Sequence, residues 1–155
     1  MEFLIPGIKP LHIDNLVFDF NGTIAVDGTI IEKVVNQLNL LSESFNIHII
    51  TADTFGTAKD QLQTVCCELV IIPEAKQSES KLQYIKSLGE KSCACFGNGR
   101  NDFRMLQEAA IGIALMQQEG VSRKSLMASD IVCNNIIDAL NLFVKPGRLK
   151  ATLRS

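Results

Sequence analysis

Short apolar runs that end in polar residues, separated by stretches with helical apolar spacing, constrain this chain more than any other feature. The runs are Leu16-Val17-Phe18-Asp19, Asn46–Thr51, Leu69–Pro73, Ser92–Phe96, Ile111–Leu115 and Ile131–Cys133. Runs this apolar and this short read as strands buried on both faces, which is the habit of parallel sheets. Between them, Val34, Val35, Leu38, Leu40 and Leu41 mark a helix over 32–44, and Leu82, Ile85 and Leu88 mark another that Gly89 ends. Further helices are expected from the loop after Thr51 to Cys66, over 105–110, around 121–127 and through Ile137, Leu140 and Phe143. Strand and helix alternate with connections of a few residues. The expected fold is α/β: a doubly wound parallel sheet in a three-layer α/β/α sandwich, one domain with no linker or repeat. Residues 24–31 read as a small flap, two apolar pairs turning at Asp27-Gly28.

A chain of 155 residues that is 46% hydrophobic and 21% charged is globular and can bury a core without staples. Its formal net charge of −2 gives no reason to expect nucleic acid as a partner. Only the end is basic, with Lys145, Arg148, Lys150 and Arg154, and it reads as a solvated terminus or as a docking point for a subunit or acidic ligand. The five cysteines lack zinc-site spacing, and free thiols in a reducing compartment fit best. The start Met1–Gly7 lacks the basic and long apolar regions of a signal peptide, and no run reaches membrane-spanning length. No membrane association is expected, and the expected location is cytoplasmic.

Three strand ends carry polar residues: Asp19 with Asn21, Thr51 with Asp53, and Asn98 through Asp102. Lys81 sits near the start of a helix between the second and third. In a parallel sheet such ends share one rim, where open α/β sheets place ligands. The combination reads as phosphate chemistry. A carboxylate can attack phosphorus and form an acyl-phosphate. A threonine hydroxyl and a lysine ammonium can hold phosphoryl oxygens and offset their charge. Side-chain and carbonyl oxygens suit a hard cation such as Mg²⁺.

Asp19-Phe20-Asn21-Gly22-Thr23 resembles the D-x-x-G-T first motif of the haloacid dehalogenase (HAD) superfamily of phosphohydrolases. Thr51 matches its second motif, Lys81 its third, and Gly97-Asn98-Gly99-Arg100-Asn101-Asp102 its G-D-G-x-N-D fourth. The likeness sharpens towards the phosphorylation domain of P-type ATPases. Thr51-Ala52-Asp53 resembles their T-G-D, Ala109–Ala114 their A-D-V-G-I-A, and Ala128–Val132 their A-A-D-x-V. Only 27 residues separate Thr23 from Thr51, too few for a nucleotide-binding domain. The resemblance is therefore to the small P-type-ATPase-like hydrolases of the superfamily, without a cap domain. It implies a HAD-like Rossmannoid fold and a Mg²⁺-dependent hydrolase. Asp19, Asn21, Thr51 and Lys81 would be the catalytic positions. Asp19, Phe20, Asn21, Gly22, Thr51, Ala52, Lys81 and Asn101 would surround phosphate, and Asp19, Asn21, Asn98 and Asp102 the metal. Uncapped members often oligomerise, so a homo-oligomer is a further expectation.

Two positions depart from that pattern. The superfamily's phosphatases have an aspartate acid–base two residues after the nucleophile, where this chain has Asn21. An amide cannot carry that proton, and losing a general base costs roughly 10²–10⁴-fold in rate. Asn98 stands in place of the first aspartate of the fourth motif, which leaves less charge for a cation. Asp53, or Asp27 on the flap, are the candidate substitute bases. The readings are a phosphatase or phosphotransferase acting through phospho-Asp19 on a phosphorylated substrate, a slow phosphate-sensing or subunit-like module, or a structural relic. Retention of Asp19, Thr51, Lys81 and Asp102 together argues against the last.

Overall fold

The computed structural model describes residues 1–53 and 56–155; Thr54 and Phe55, in the loop expected after Thr51, lie outside the described residues. In chain order, strands β1 (Glu2–Phe3) and β2 (Leu11–His12) precede β3 (Asn15–Asp19). Strands β4 (Ala25–Val26) and β5 (Thr29–Ile30) lead into α1 (Glu32–Leu41), β6 (Asn46–Thr51), α2 (Ala58–Gln61) and β7 (Glu68–Ile71). Then come α3 (Gln77–Leu88), β8 (Cys93–Gly97), α4 (Phe103–Glu108), β9 (Ile111–Leu115) and α5 (Arg123–Ala128). The chain closes with β10 (Ile131–Cys133), α6 (Ile136–Val144) and α7 (Pro146–Leu153). Single 3₁₀ turns at Glu90–Ser92 and Arg100–Asp102 flank β8.

Six strands form one sheet in the order β10-β9-β8-β3-β6-β7, every pair parallel. Strand β3, which ends at Asp19, therefore lies inside the sheet between β6 and β8. The side-chain period of two then sorts its residues by face. Leu16 and Phe18 join a core with α1, α2, α6 and α7, while Val17 joins a second core with α3 and α4. Asp19 shares Val17's parity, so its carboxylate is directed to the α3–α4 layer. Phe18 stacks on Phe96 of β8 with ring centroids 4.3 Å apart, and Phe96 meets Phe143 of α6 at 5.7 Å. These contacts fix the register of the two strands whose ends carry the first and fourth motifs.

The flap is an antiparallel hairpin, with Ala25 opposite Ile30 and Val26 opposite Thr29. Together with the coil of residues 20–24, it is all that separates β3 from α1. Elsewhere the chain departs from the sequence expectations at two places, and its N-terminus forms an element that no pattern in the sequence marked. The helix expected to run to Cys66 stops at Gln61, because Asn39 of α1 captures the next turn: its amide donates to Thr64 O (2.9 Å) and accepts from Cys66 N (2.8 Å). The basic tail is not a loose terminus. Residues 146–153 form α7, started by Pro146 at its first turn and anchored by the fully buried Leu149, with the four basic side chains exposed. The N-terminus forms the β1–β2 hairpin and buries Phe3 against Phe143. All five cysteines are free as expected, but only Cys93 and Cys95 are buried, and Cys66 is exposed. His48 is a strand residue far from the motif rim, bonded to Tyr84 Oη (2.9 Å) and Asn15 Oδ1 (3.2 Å). No described helix is long and apolar enough to cross a membrane.

Candidate active site

Past Asp19 the backbone coils tightly: Phe20 O accepts from the amides of Thr23 (3.2 Å), Ile24 (3.0 Å) and Ala25 (2.9 Å). Gly22 sits in this coil at φ +77°, and a Cβ there would lie 2.2 Å from Asn98 Nδ2, so both conformation and space require glycine. The coil turns Asn21 towards the rim and drops Phe20 into the core, where it is 1% exposed. At the end of β8, a Cβ on Gly97 would meet Asp102 atoms at 2.6 Å, so glycine lets the Asp102 carboxylate come close under the strand end.

Lys81 is the centre of the site. Its ammonium is wholly buried and donates to Asp19 Oδ1 at 2.5 Å and to Asp102 Oδ1 at 2.6 Å. The other Asp102 oxygen accepts from the backbone amides of Asn98 (3.0 Å) and Gly99 (2.8 Å). Two carboxylates thus share one ammonium in a desolvated place. Burial, and then the Asp102 charge, push the Asp19 carboxyl up to about 7, against the opposing pull of Lys81. Burial alone would lower the Lys81 pKa, but Asp102 and Asp19 outweigh it and hold the ammonium firmly protonated.

Above this trio lies a cavity of about 220 Å³ lined by Asp19, Asn21, Thr51, Ala52, Gln77, Asn98, Gly99, Asn101 and Glu119. Three strand ends converge here, as expected of one rim. Thr51 Oγ1 accepts from Asp53 N (2.9 Å), which leaves its proton to be donated. Asn101 Nδ2 donates to Gln77 Oε1 (2.6 Å), steadying the side of the cavity. Of the positions expected around phosphate, Phe20, Gly22 and Lys81 do not line the cavity: Phe20 is core, Gly22 lies behind Asn98, and Lys81 is beneath Asp19. Arg100 is exposed and off the lining.

Neither candidate substitute base reaches the cavity lining. Asp53 Oδ1 accepts from the amides of Thr57 and Ala58, both at 3.0 Å, and so holds the start of α2. Asp27 stands at the flap tip, exposed, at φ +49°. Gln77 and Glu119 line the cavity without having been marked by any motif.

Among the described residues no three His, Cys, Asp or Glu side chains cluster as a metal site. The donors that do gather are oxygens: the Asp19 carboxylate and the amide oxygens of Asn21 and Asn98. Asp102, also expected at the metal, is off the cavity lining, with its carboxylate oxygens taken by Lys81 and by the Asn98 and Gly99 amides. Asn21 Oδ1 is buried without a hydrogen-bond partner, and Asn98 Oδ1 has only a long contact from Thr23 Oγ1 (3.4 Å). An orphaned buried oxygen beside a carboxylate fits a hard, oxygen-preferring cation such as Mg²⁺, and suits zinc poorly.

The architecture and the strand-end arrangement are those of the HAD-like Rossmannoid fold, a six-stranded parallel sheet in one α/β/α domain. It matches 3-deoxy-D-manno-octulosonate 8-phosphate phosphatase from Moraxella catarrhalis, a structure with magnesium, phosphate and the sugar acid bound. The TM-score is 0.67 at 18% identity, over 92% of this chain and 94% of that one. It also matches the cobalt-bound deoxy-D-mannose-octulosonate 8-phosphate phosphatase from Haemophilus influenzae, with TM-score 0.71 and 8% identity over 93% and 94% of the two chains. No protein-family model matches the sequence. The chain belongs to the same family as the uncharacterized protein MJ0073 of Methanocaldococcus jannaschii, to which it is 37% identical over 90 residues, 54% of this chain and 97% of that protein.

Proposed function

We propose that this protein is a Mg²⁺-dependent phosphohydrolase or phosphotransferase that works through an aspartyl-phosphate on Asp19. The observation that carries the reading is the buried Lys81 ammonium bonded to both Asp19 and Asp102 at the floor of a polar cavity. An ion trio in which two carboxylates share one cation is costly as pure structure. It is useful where a dianionic phosphoryl group must be met by one nucleophile and one fixed positive charge. The phosphatases that share the fold make the same chemistry reasonable for this rim.

In this reading one Asp19 oxygen attacks phosphorus as the leaving oxygen departs with its bonding electrons. Lys81 holds the other Asp19 oxygen, which orients the carboxylate and offsets charge as the phosphoryl group arrives. The Thr51 hydroxyl donates to a phosphoryl oxygen, and Asn101 and the Ala52 backbone border the same space. Asp102 fixes Lys81 and is itself fixed by the Asn98 and Gly99 amides. Asp19, Asn21 and Asn98 would hold Mg²⁺, whose charge neutralises the phosphoryl oxygens. A cavity of 220 Å³ takes a phosphoryl group and a few waters at about 30 Å³ each. The rest of the substrate lies outside it, under the flap or in solvent. Acyl-phosphates and anhydrides suit the site best, because their leaving groups depart without a proton.

The test is hydrolysis of acetyl phosphate and p-nitrophenyl phosphate by the purified protein with Mg²⁺. Turnover should need the metal and vanish in Asp19→Ala. BeF₃⁻ with Mg²⁺ should raise the melting temperature of the wild type and not of that variant. Absence of both turnover and the fluoride-dependent shift refutes the reading.

A further inference from the structure

Asp19 and Glu119 are the two carboxylate residues among those that line the active-site cavity. Asp19 is the nucleophile in the reading above, and Asn21 has no acidic proton. Glu119 stands in the β9–α5 loop, and that loop is tied to the first-motif coil, the flap, Asn98 and the start of α6. Gln117 Nε2 donates to Gly22 O (3.0 Å) and Thr23 O (2.7 Å), and Gln117 Oε1 accepts from Ile136 N (3.0 Å). Gly120 closes the turn through its amide to Gln117 O (2.8 Å). Asn98 Nδ2 donates to Gly120 O (3.0 Å), and Asn98 O accepts from Ser122 N (2.8 Å). Glu119 itself is held by the flap: its Oε1 accepts from Asp27 N at 2.8 Å, and its Oε2 has no partner among the described residues.

From this geometry we infer that Glu119 is the general base of the dephosphorylation half-reaction, taking the place of the aspartate that Asn21 replaces. The inference rests on the aspartyl-phosphate reading. Water attacks the phosphorus of phospho-Asp19 and gives its proton to the Glu119 carboxylate. The new P–O bond forms as the P–Oδ bond breaks, the bonding pair returns to the Asp19 carboxylate, and inorganic phosphate leaves. Glu119 then releases the proton to solvent. Asn98 acquires a purpose in the same scheme. The amide at that position donates to Gly120 O; an aspartate would set an oxygen against that carbonyl and remove one of the loop's ties. The two amides at 21 and 98 are therefore linked: one removes the acid–base group from the coil, and the other anchors the loop that supplies it from across the cavity.

The test is Glu119→Gln, which keeps an oxygen to accept from Asp27 N and so preserves the flap tie. Radiolabelled acetyl phosphate with Mg²⁺ is mixed with the protein and quenched in acid, and the acyl-phosphate and released phosphate are followed in time. Acetate leaves without a proton, so phosphorylation should proceed at the wild-type rate. Dephosphorylation should slow by roughly 10²–10⁴-fold, as loss of a general base does, and the phosphoprotein should accumulate. Adding Asn21→Asp to that variant should restore turnover. Dephosphorylation at the wild-type rate, equal slowing of both half-reactions, or failure of Asn21→Asp to restore turnover overturns the assignment. A wild type that forms no phosphoprotein and releases no phosphate fails earlier, at the nucleophile, and that result is distinct from the other three.

Discussion

Replacing Asp19 by Asn should make the protein more stable while abolishing phosphoryl transfer. The buried trio of Asp19, Lys81 and Asp102 carries one negative charge too many when all three are ionised. Asparagine keeps an oxygen for Lys81 and leaves a neutral Lys81–Asp102 pair. The size follows from the Asp19 carboxyl, raised from its ordinary 3.8 to about 7 by burial and by Asp102. At about 1.4 kcal/mol per pH unit, that interval corresponds to ~4 kcal/mol as a ceiling. Water in the cavity and side-chain relaxation reduce it, so ~2–4 kcal/mol is expected. The direction with pH is fixed by linkage. Below about pH 4 the carboxyl is protonated in both folded and unfolded chains, and wild type and variant should be alike. Between pH 4 and 7 the unfolded carboxyl ionises while the folded one stays protonated, so the wild type loses stability and the variant does not. Above pH 7 the gap should be at its full size. Urea unfolding in EDTA at pH 4, 6 and 8 measures it, and thermal melts at pH 8 should differ by roughly 5–15 °C, given ~2–4 °C per kcal/mol for a chain this long. Mg²⁺ should narrow the gap by binding the wild type, in proportion to its affinity. A variant less stable than wild type at pH 8, or a gap that does not change between pH 4 and 8, would refute the picture of an over-charged site.

Lys81→Met should have the opposite effect on stability: two buried carboxylates lose their cation, at a cost of ~3–5 kcal/mol, and phosphorylation from acetyl phosphate should disappear. Urea unfolding at pH 8 and the acid-quench assay read the two effects. Asn98→Asp should strengthen Mg²⁺ binding by adding a charged oxygen. It should also cost ~1–3 kcal/mol through the unpaired Gly120 carbonyl, and melting curves with and without Mg²⁺ separate the two. Leu149→Ala should cost ~2–5 kcal/mol, as for other fully buried leucines, and a near-neutral result would show that α7 does not hold to the core.

The sheet was legible because its signal is dense. Strands such as Asn46–Thr51 and Ile111–Leu115 are buried throughout or nearly so, and continuous apolar runs announce that without ambiguity. The flap was legible from Asp27-Gly28, whose positive φ values a tight hairpin demands. Helix α7 was not, because Leu149 and Leu153 are its only large apolar residues among Lys, Arg, Gly and Thr. Its place depends on a core built elsewhere in the chain. The early end of α2 was equally hidden, since it is dictated by Asn39, 25 residues upstream of Thr64. Local pattern reports what a segment buries, and it does not report which distant side chain will take its backbone groups.

The same limit explains which half of the site could be read. Asp19, Thr51, Lys81 and Asp102 each sit at a strand end or helix start, so the alternation of elements alone brings them to one rim. Glu119 sits in Met116-Gln117-Gln118-Glu119-Gly120, which has no period and no motif to set it apart from any other loop. What moves it to the cavity is a set of hydrogen bonds between residues 19 to 95 positions apart in sequence. Asn98 was readable only as a loss, a carboxylate missing from the fourth motif, because its gain is a bond to a carbonyl 22 residues further on. A substitution that removes charge from one contact and supplies a donor to another cannot be judged from the motif it interrupts. The two amides must be weighed together with the loop they accompany, which Asn98 anchors and in which Glu119 borders the cavity.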